Sequence, residues 1–88
     1  MKAITFDVNC VNWSPNGEYN RFYLNAQYQY FQELFMYRGY LYLNYIYETL
    51  GAKWNPDWEN VCYRIENGPL RMKIEEGYGD VYFIEIDQ

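Results

Sequence analysis

At 88 residues the chain is too short for two hydrophobic cores, and with half its residues hydrophobic and 23% aromatic it carries too much buriable surface to stay disordered. Seven bases against twelve acids leave a net charge of −5, so the counterion release that drives binding to DNA or anionic membranes works against it. The absence of histidine removes Ser/His/Asp and Cys/His triads and histidine-based zinc sites.

Lys2 to Asn9 places Ile4, Phe6 and Val8 on one face and Thr5, Asp7 and Asn9 on the other, which predicts a half-buried strand. Cys10 to Tyr19 contains Asn12, Ser14-Pro15 and Asn16-Gly17, turn formers that predict a loop carrying Trp13. From about Asn20 to Tyr37, with a short extended piece over Tyr19 to Leu24 as the alternative for its start, the residues Leu24, Tyr28, Phe31 and Phe35, joined by Leu34, recur at i, i+4, i+7 and i+11. That spacing predicts a helix with Asn25, Gln29, Gln32 and Glu33 on its far side and Arg38-Gly39 at its end. Tyr40 to Leu43 is too short for a helix; Asn44 then reads as the N-cap of a short helix over Tyr45 to Leu50, stopped by Gly51 and resting on Ile46 and Leu50. Trp54-Asn55-Pro56-Asp57-Trp58 reads as a second tryptophan-bearing loop.

Beyond it the period becomes two. Val61, Tyr63 and Ile65 alternate with polar neighbours, Asn67-Gly68-Pro69 turns the chain, and Leu70, Met72 and Ile74 alternate in turn. After Gly77-Tyr78-Gly79-Asp80, the run from Val81 to Ile86 is apolar on both faces up to Ile84. This places it inside the sheet, between the first strand and the Leu70 strand. The order β-α-α-β-β-β predicts a single α+β domain over 1–88, a four-stranded antiparallel sheet with two helices on one face. The expected core is Ile4, Phe6, Val8, Leu24, Tyr28, Phe31, Leu34, Phe35, Ile46, Leu50, Val61, Tyr63, Ile65, Leu70, Met72, Ile74 and Ile84.

Cys10 and Cys62 are too far apart in sequence for a redox or metal-binding pair, and are expected to be packing residues with free thiols. An acid at Asp7 interrupts any export signal and no apolar run is long enough to span a bilayer, so a cytoplasmic chain without membrane attachment is expected. Asn12-Trp13-Ser14 fits a glycosylation pattern, but Pro15 follows it and it reads as coincidence. Glu48, Asp57 and Glu59 are the carboxylates near aromatic loops, and nothing in their spacing calls for an acid–base pair or a cation site. No enzyme activity, catalytic residue, cofactor or metal is therefore expected.

Residues 38–60 carry Arg38-Gly39-Tyr40, then Leu43-Asn44, then Leu50-Gly51, followed by the Trp54 to Trp58 loop. This pattern resembles small proteins of unknown function from bacteriophages and prophages of gut bacteria. The family has no established activity, so no site residue is implied; the resemblance implies a viral or mobile-element origin. By analogy with small acidic phage proteins as a class, the expected role is an inhibitor or adaptor acting on a host defence or nucleic-acid-handling protein.

Two features could carry such a role. Tyr19, Tyr23, Tyr30, Tyr37, Tyr40, Tyr42, Tyr45 and Tyr47 are expected to leave an aromatic-rich surface, and tyrosine and tryptophan give large contact area at low entropic cost. The alternative is that they fill the core. Charge is also uneven: residues 1–65 hold five bases and six acids, whereas residues 66–88 hold two bases and six acids, which suits a basic groove on a partner. The alternative there is a solvated hairpin that blocks edge-to-edge aggregation. The expected partner-binding residues are Trp54, Trp58, Tyr40 and Tyr42 with Glu75, Glu76 and Asp80. The expected partner is a protein, with no direct nucleic-acid contact, since the bases are scattered singly. The alternatives are a homo-dimer or larger homo-oligomer forming a structural component, and a nucleic-acid or small-ligand binder.

Overall fold

The computed structural model describes residues 2–52 and 56–88. Strand β1 (Lys2–Phe6) pairs antiparallel with β5 (Tyr82–Asp87), which pairs on its other side with β4 (Arg71–Glu76), so β5 is the central strand as its two apolar faces predict. One sheet face sends Ile4, Phe6, Tyr82, Ile84 and Ile86 into the core, and the other leaves Ala3, Thr5 and Phe83 to solvent. The first strand stops short of Asn9. The Asp7 carboxylate accepts the Asn9 amide at 2.9 Å and the Asp7 carbonyl accepts that of Cys10 at 2.8 Å, a local turn that outcompetes the ladder. Val8, expected in the core, is consequently 70% exposed.

Helix α1 (Gly17–Arg38) begins three residues before Asn20, because Asn16 is a cap: its side chain accepts from the amides of Glu18 at 3.0 Å and Tyr19 at 3.2 Å. Asn20 itself is buried, and its amide group bonds Ser14 through both the backbone N–H and the carbonyl, which fastens the entering loop to the first turn of the helix. Leu24, Phe31 and Phe35 form the buried stripe, with Leu34 partly buried against it and Tyr28 half-buried at its edge. Gly39 closes the helix in the left-handed conformation, φ +81°, and its N–H bonds the Phe35 carbonyl at 2.8 Å.

The expected single four-stranded sheet is corrected at this point. Tyr40–Tyr42 is a strand, β2, and it takes β3 (Cys62–Arg64) as its antiparallel partner, giving a separate two-stranded ribbon beside the three-stranded sheet. The predicted Val61 hairpin fails because Ile65–Asn67 forms a 3-10 turn, after which Gly68 at φ +108° and Pro69, which has no N–H, redirect the chain. The Ile65 amide bonds the Gly39 carbonyl at 2.9 Å, and the Gln88 side chain donates to the carbonyls of Arg64 and Gly68, occupying groups a β3–β4 ladder would need. Ile65 leaves the core with that turn and is 41% exposed.

Helix α2 (Leu43–Thr49) follows β2 without a break, so Tyr42 and not Asn44 is its capping position; Asn44 is buried in the first turn. Gly51 ends this segment at φ +80°, and a side chain there would meet the backbone of Val11 and Asn12. Ile46 and Leu50 are buried as expected; Val61, Met72 and Ile74 are partly buried. Leu41, Leu43, Tyr82, Ile86 and Cys10 join the core beyond the residues expected there.

Candidate functional site

The residues that draw the eye as an interaction surface follow one another along the chain around the end of α1. Helical spacing turns Tyr30, Glu33 and Tyr37 outward, and Tyr37 is 90% exposed. Gly39 then reverses the chain into β2, whose alternation sends Leu41 inward and Tyr40 and Tyr42 outward. The two outward rings meet edge-to-face with centroids 5.9 Å apart. Across the ribbon they stand opposite Arg64 and Cys62.

Behind this surface Tyr45, on α2, ties helix to helix. Its hydroxyl lies 2.6 Å from that of Tyr30, its ring packs edge-on to the buried Phe31 at 6.4 Å, and the Arg38 guanidinium sits 5.9 Å above the ring centroid. The hydrogen bond to Tyr45 pushes the Tyr30 phenol above its ordinary pKa. Between Tyr30 and Tyr37 an open groove of about 360 Å³ is lined by those two rings, Glu33 and Leu34. Glu33 makes no ion pair among the described residues.

The remaining expected site residues fall elsewhere. Trp58 is half-buried, 4.9 Å from the Tyr47 ring and packed against the core, so it covers the core edge while keeping part of its ring at the surface. Trp54 lies outside the described residues. Glu75 and Glu76, adjacent on β4, point to opposite faces: Glu75 pairs with Lys73 at 2.8 Å and Glu76 with Arg21 of α1 at 3.1 Å, both at the surface. The bond to Glu75 raises the Lys73 pKa.

Asp80 is held in place by structure. It has a positive φ of 56°, its carbonyl accepts the Trp13 indole N–H at 2.7 Å, and its carboxylate abuts Gly17 in the first turn of α1, where the helix dipole favours a negative charge. This end of α1 and the Tyr37–Tyr42 end are separated by about 30 Å of helix at 1.5 Å per residue. Tyr40 and Tyr42 therefore come together, whereas Glu76 and Asp80 lie beside the first turns of α1, Glu75 points to the other face of its strand, and none of the three carboxylates neighbours that tyrosine pair.

Five of the eight tyrosines expected at the surface (Tyr19, Tyr30, Tyr37, Tyr40 and Tyr42) are exposed; Tyr23, Tyr45 and Tyr47 are half-buried. Phe22, 75% exposed, and Tyr78, fully exposed, were not anticipated, although Phe22 lies two residues from Leu24 and hence opposite the buried stripe. Tyr23 instead serves the interior: its hydroxyl donates to the Thr49 carbonyl and accepts from Asn12, and burial raises its pKa. Cys10 is buried and Cys62 half-buried, both as free thiols. Among the described residues no three metal-ligating side chains cluster, and no helix is long and apolar enough to cross a membrane. No protein-family model, curated protein sequence or solved structure matches the chain.

Proposed function

We propose that the chain is a small acidic protein-binding module, an inhibitor or adaptor of phage or prophage origin that engages a host protein with a basic groove in the host cytosol. The observation that carries this reading is the concentration of exposed tyrosines over residues 30–42, with Tyr40 and Tyr42 held edge-to-face on a short ribbon. Such rings are already ordered by their neighbours, so a partner that covers them gains contact area without a large further loss of rotamer freedom. The net charge of −5 supplies the long-range attraction to a basic surface and disfavours self-association of like-charged copies.

The test is capture and cross-linking of partners from a bacterial host lysate on the immobilised chain at low and high salt, set against a Tyr40→Ser/Tyr42→Ser variant. The expected result is one recurring partner whose capture fades with salt. The double variant should lose at least about tenfold in affinity, in keeping with two hot-spot aromatics. A variant that captures the same partner equally well overturns the site, and a stable dimer burying these tyrosines in sedimentation would replace the module by a homo-oligomer.

A further inference from the structure

The groove between Tyr30 and Tyr37 has a composition that selects its occupant. Its floor is Leu34, its two ends are tyrosine rings seven residues apart on one side of α1, and its one formal charge is the Glu33 carboxylate. Seven residues span about 10 Å along the helix axis, so the rings stand two turns apart with Glu33 and Leu34 in the turns between. A neutral apolar side chain entering here would desolvate Glu33 without compensation, and an anion would be repelled by it. A planar cation matches every part of the lining: its faces lie against aromatic rings, its edge donates to a carboxylate, and it is less strongly hydrated than an ammonium.

The chain shows the same chemistry one step away, where Arg38 lies over the Tyr45 ring, the ring whose hydroxyl meets that of Tyr30. Arg38 is thereby engaged, whereas Glu33 forms no ion pair among the described residues. From the lining, the unengaged carboxylate and the net charge of −5 together, we propose that the Tyr30–Glu33–Leu34–Tyr37 groove receives an arginine side chain of the partner. The proposal rests on the protein-binding reading and gives the partner's basic surface a specific contact: one guanidinium stacked on tyrosine and hydrogen-bonded to Glu33.

The experiment titrates the intact chain with short Gly/Ser peptides carrying spaced arginines, and with versions carrying lysine or the neutral isostere citrulline. Ring resonances of Tyr30 and Tyr37 and the methyl groups of Leu34 are followed by NMR. The arginine peptide should shift these signals and bind at least about fivefold more tightly than the citrulline peptide, the scale of one exposed cation–π contact with one surface ion pair. Glu33→Gln and Tyr37→Ala, both at exposed positions and checked by an unchanged backbone spectrum, should each weaken it by about threefold or more. Equal binding by citrulline overturns recognition of a cation, equal binding by lysine overturns arginine as the occupant, and shifts confined to another surface overturn the groove. Partner capture that survives in Glu33→Gln at full strength sinks this inference and leaves the module standing. Arginine binding without any captured protein sinks the module, and with it the partner's arginine, leaving only a groove that recognises a guanidinium.

Discussion

Tyr63 shows how a single buried group links sequence to a measurable property. It sits on β3 opposite Leu41, and burial, aided by the negative charge of Asp87, pushes its phenol up to about 12 from the ordinary 10. The folded chain therefore keeps a proton that the unfolded chain releases above pH 10. Stability from this group is complete below pH 10 and is lost at about 1.4 kcal/mol per pH unit as pH rises through 12. Burial also raises Tyr23 and Tyr82, so Tyr63→Phe should make alkaline unfolding shallower without removing it. Urea midpoints from neutral pH to about pH 12 check this; an identical pH slope in the variant would mean that Tyr63 ionises without unfolding. Residue burial was legible in the sequence where a regular period ran through the position, as for Ile4, Phe6, Phe31 and Ile84. It failed at Val8 and Ile65, where one carboxylate-capped turn and one 3-10 turn end the period just before or at the residue. The Glu33–Leu34 pair was legible only as two halves, one polar face and one apolar stripe, and their joint lining of a groove emerges when Tyr30 and Tyr37 are placed around them.

At the level of elements, the caps decide where segments start and stop. Asn16 satisfies two of the orphan amides at the start of α1, so Asn16→Ala should cost about 1 kcal/mol. For a chain of this size that is a fall in melting temperature of about 5 °C, and Asn16→Asp should restore most of it. A variant that melts with the parent would show that solvent satisfies those amides equally well. Asn16-Gly17 has the chemistry of a tight turn as well as of a helix start, so sequence alone could not choose between them; the buried bonds from Asn20 to Ser14 make the choice by folding the loop back onto the first turn. The strands divide in the same way. The β4–β5 hairpin was legible because a Gly-rich turn joins two runs of matching length. The pairing of β3 was not, because alternation tells which side chains face inward and nothing about which neighbour supplies the hydrogen bonds. That neighbour is β2, which Gly39 delivers alongside β3 by reversing the chain at the end of α1, and the Ile65 amide bonded to the Gly39 carbonyl closes the arrangement.

The molecule as a whole measures 38 × 25 × 18 Å, and its long dimension separates two surfaces that the sequence suggests as one. Glu76 and Asp80 lie by the first turns of α1, against Arg21 and Gly17, while the exposed Tyr40 and Tyr42 lie beyond its last turn. The span is about four Debye lengths at physiological ionic strength but only about one at 0.01 M salt. Charge at one end can therefore attract a partner docking at the other end in dilute salt and is screened in the cell. Reversing Glu75 and Glu76 to Lys, with Asp80 kept because of its place beside the helix N-terminus, should leave folding nearly unchanged, since each exposed ion pair contributes less than about 1 kcal/mol. Association with the captured partner should slow by about tenfold at 0.01 M salt and by about twofold or less at 0.15 M, with dissociation unaffected. Tyr40→Ser/Tyr42→Ser should do the opposite, speeding dissociation at every salt concentration. Because the two sets of residues share no contacts, their effects on binding free energy should add to within about 0.5 kcal/mol. A tenfold slowing that persists at 0.15 M salt, or a clear departure from additivity, would mean that the partner spans the long axis and touches both ends, and the tyrosine end would then be half of a larger interface.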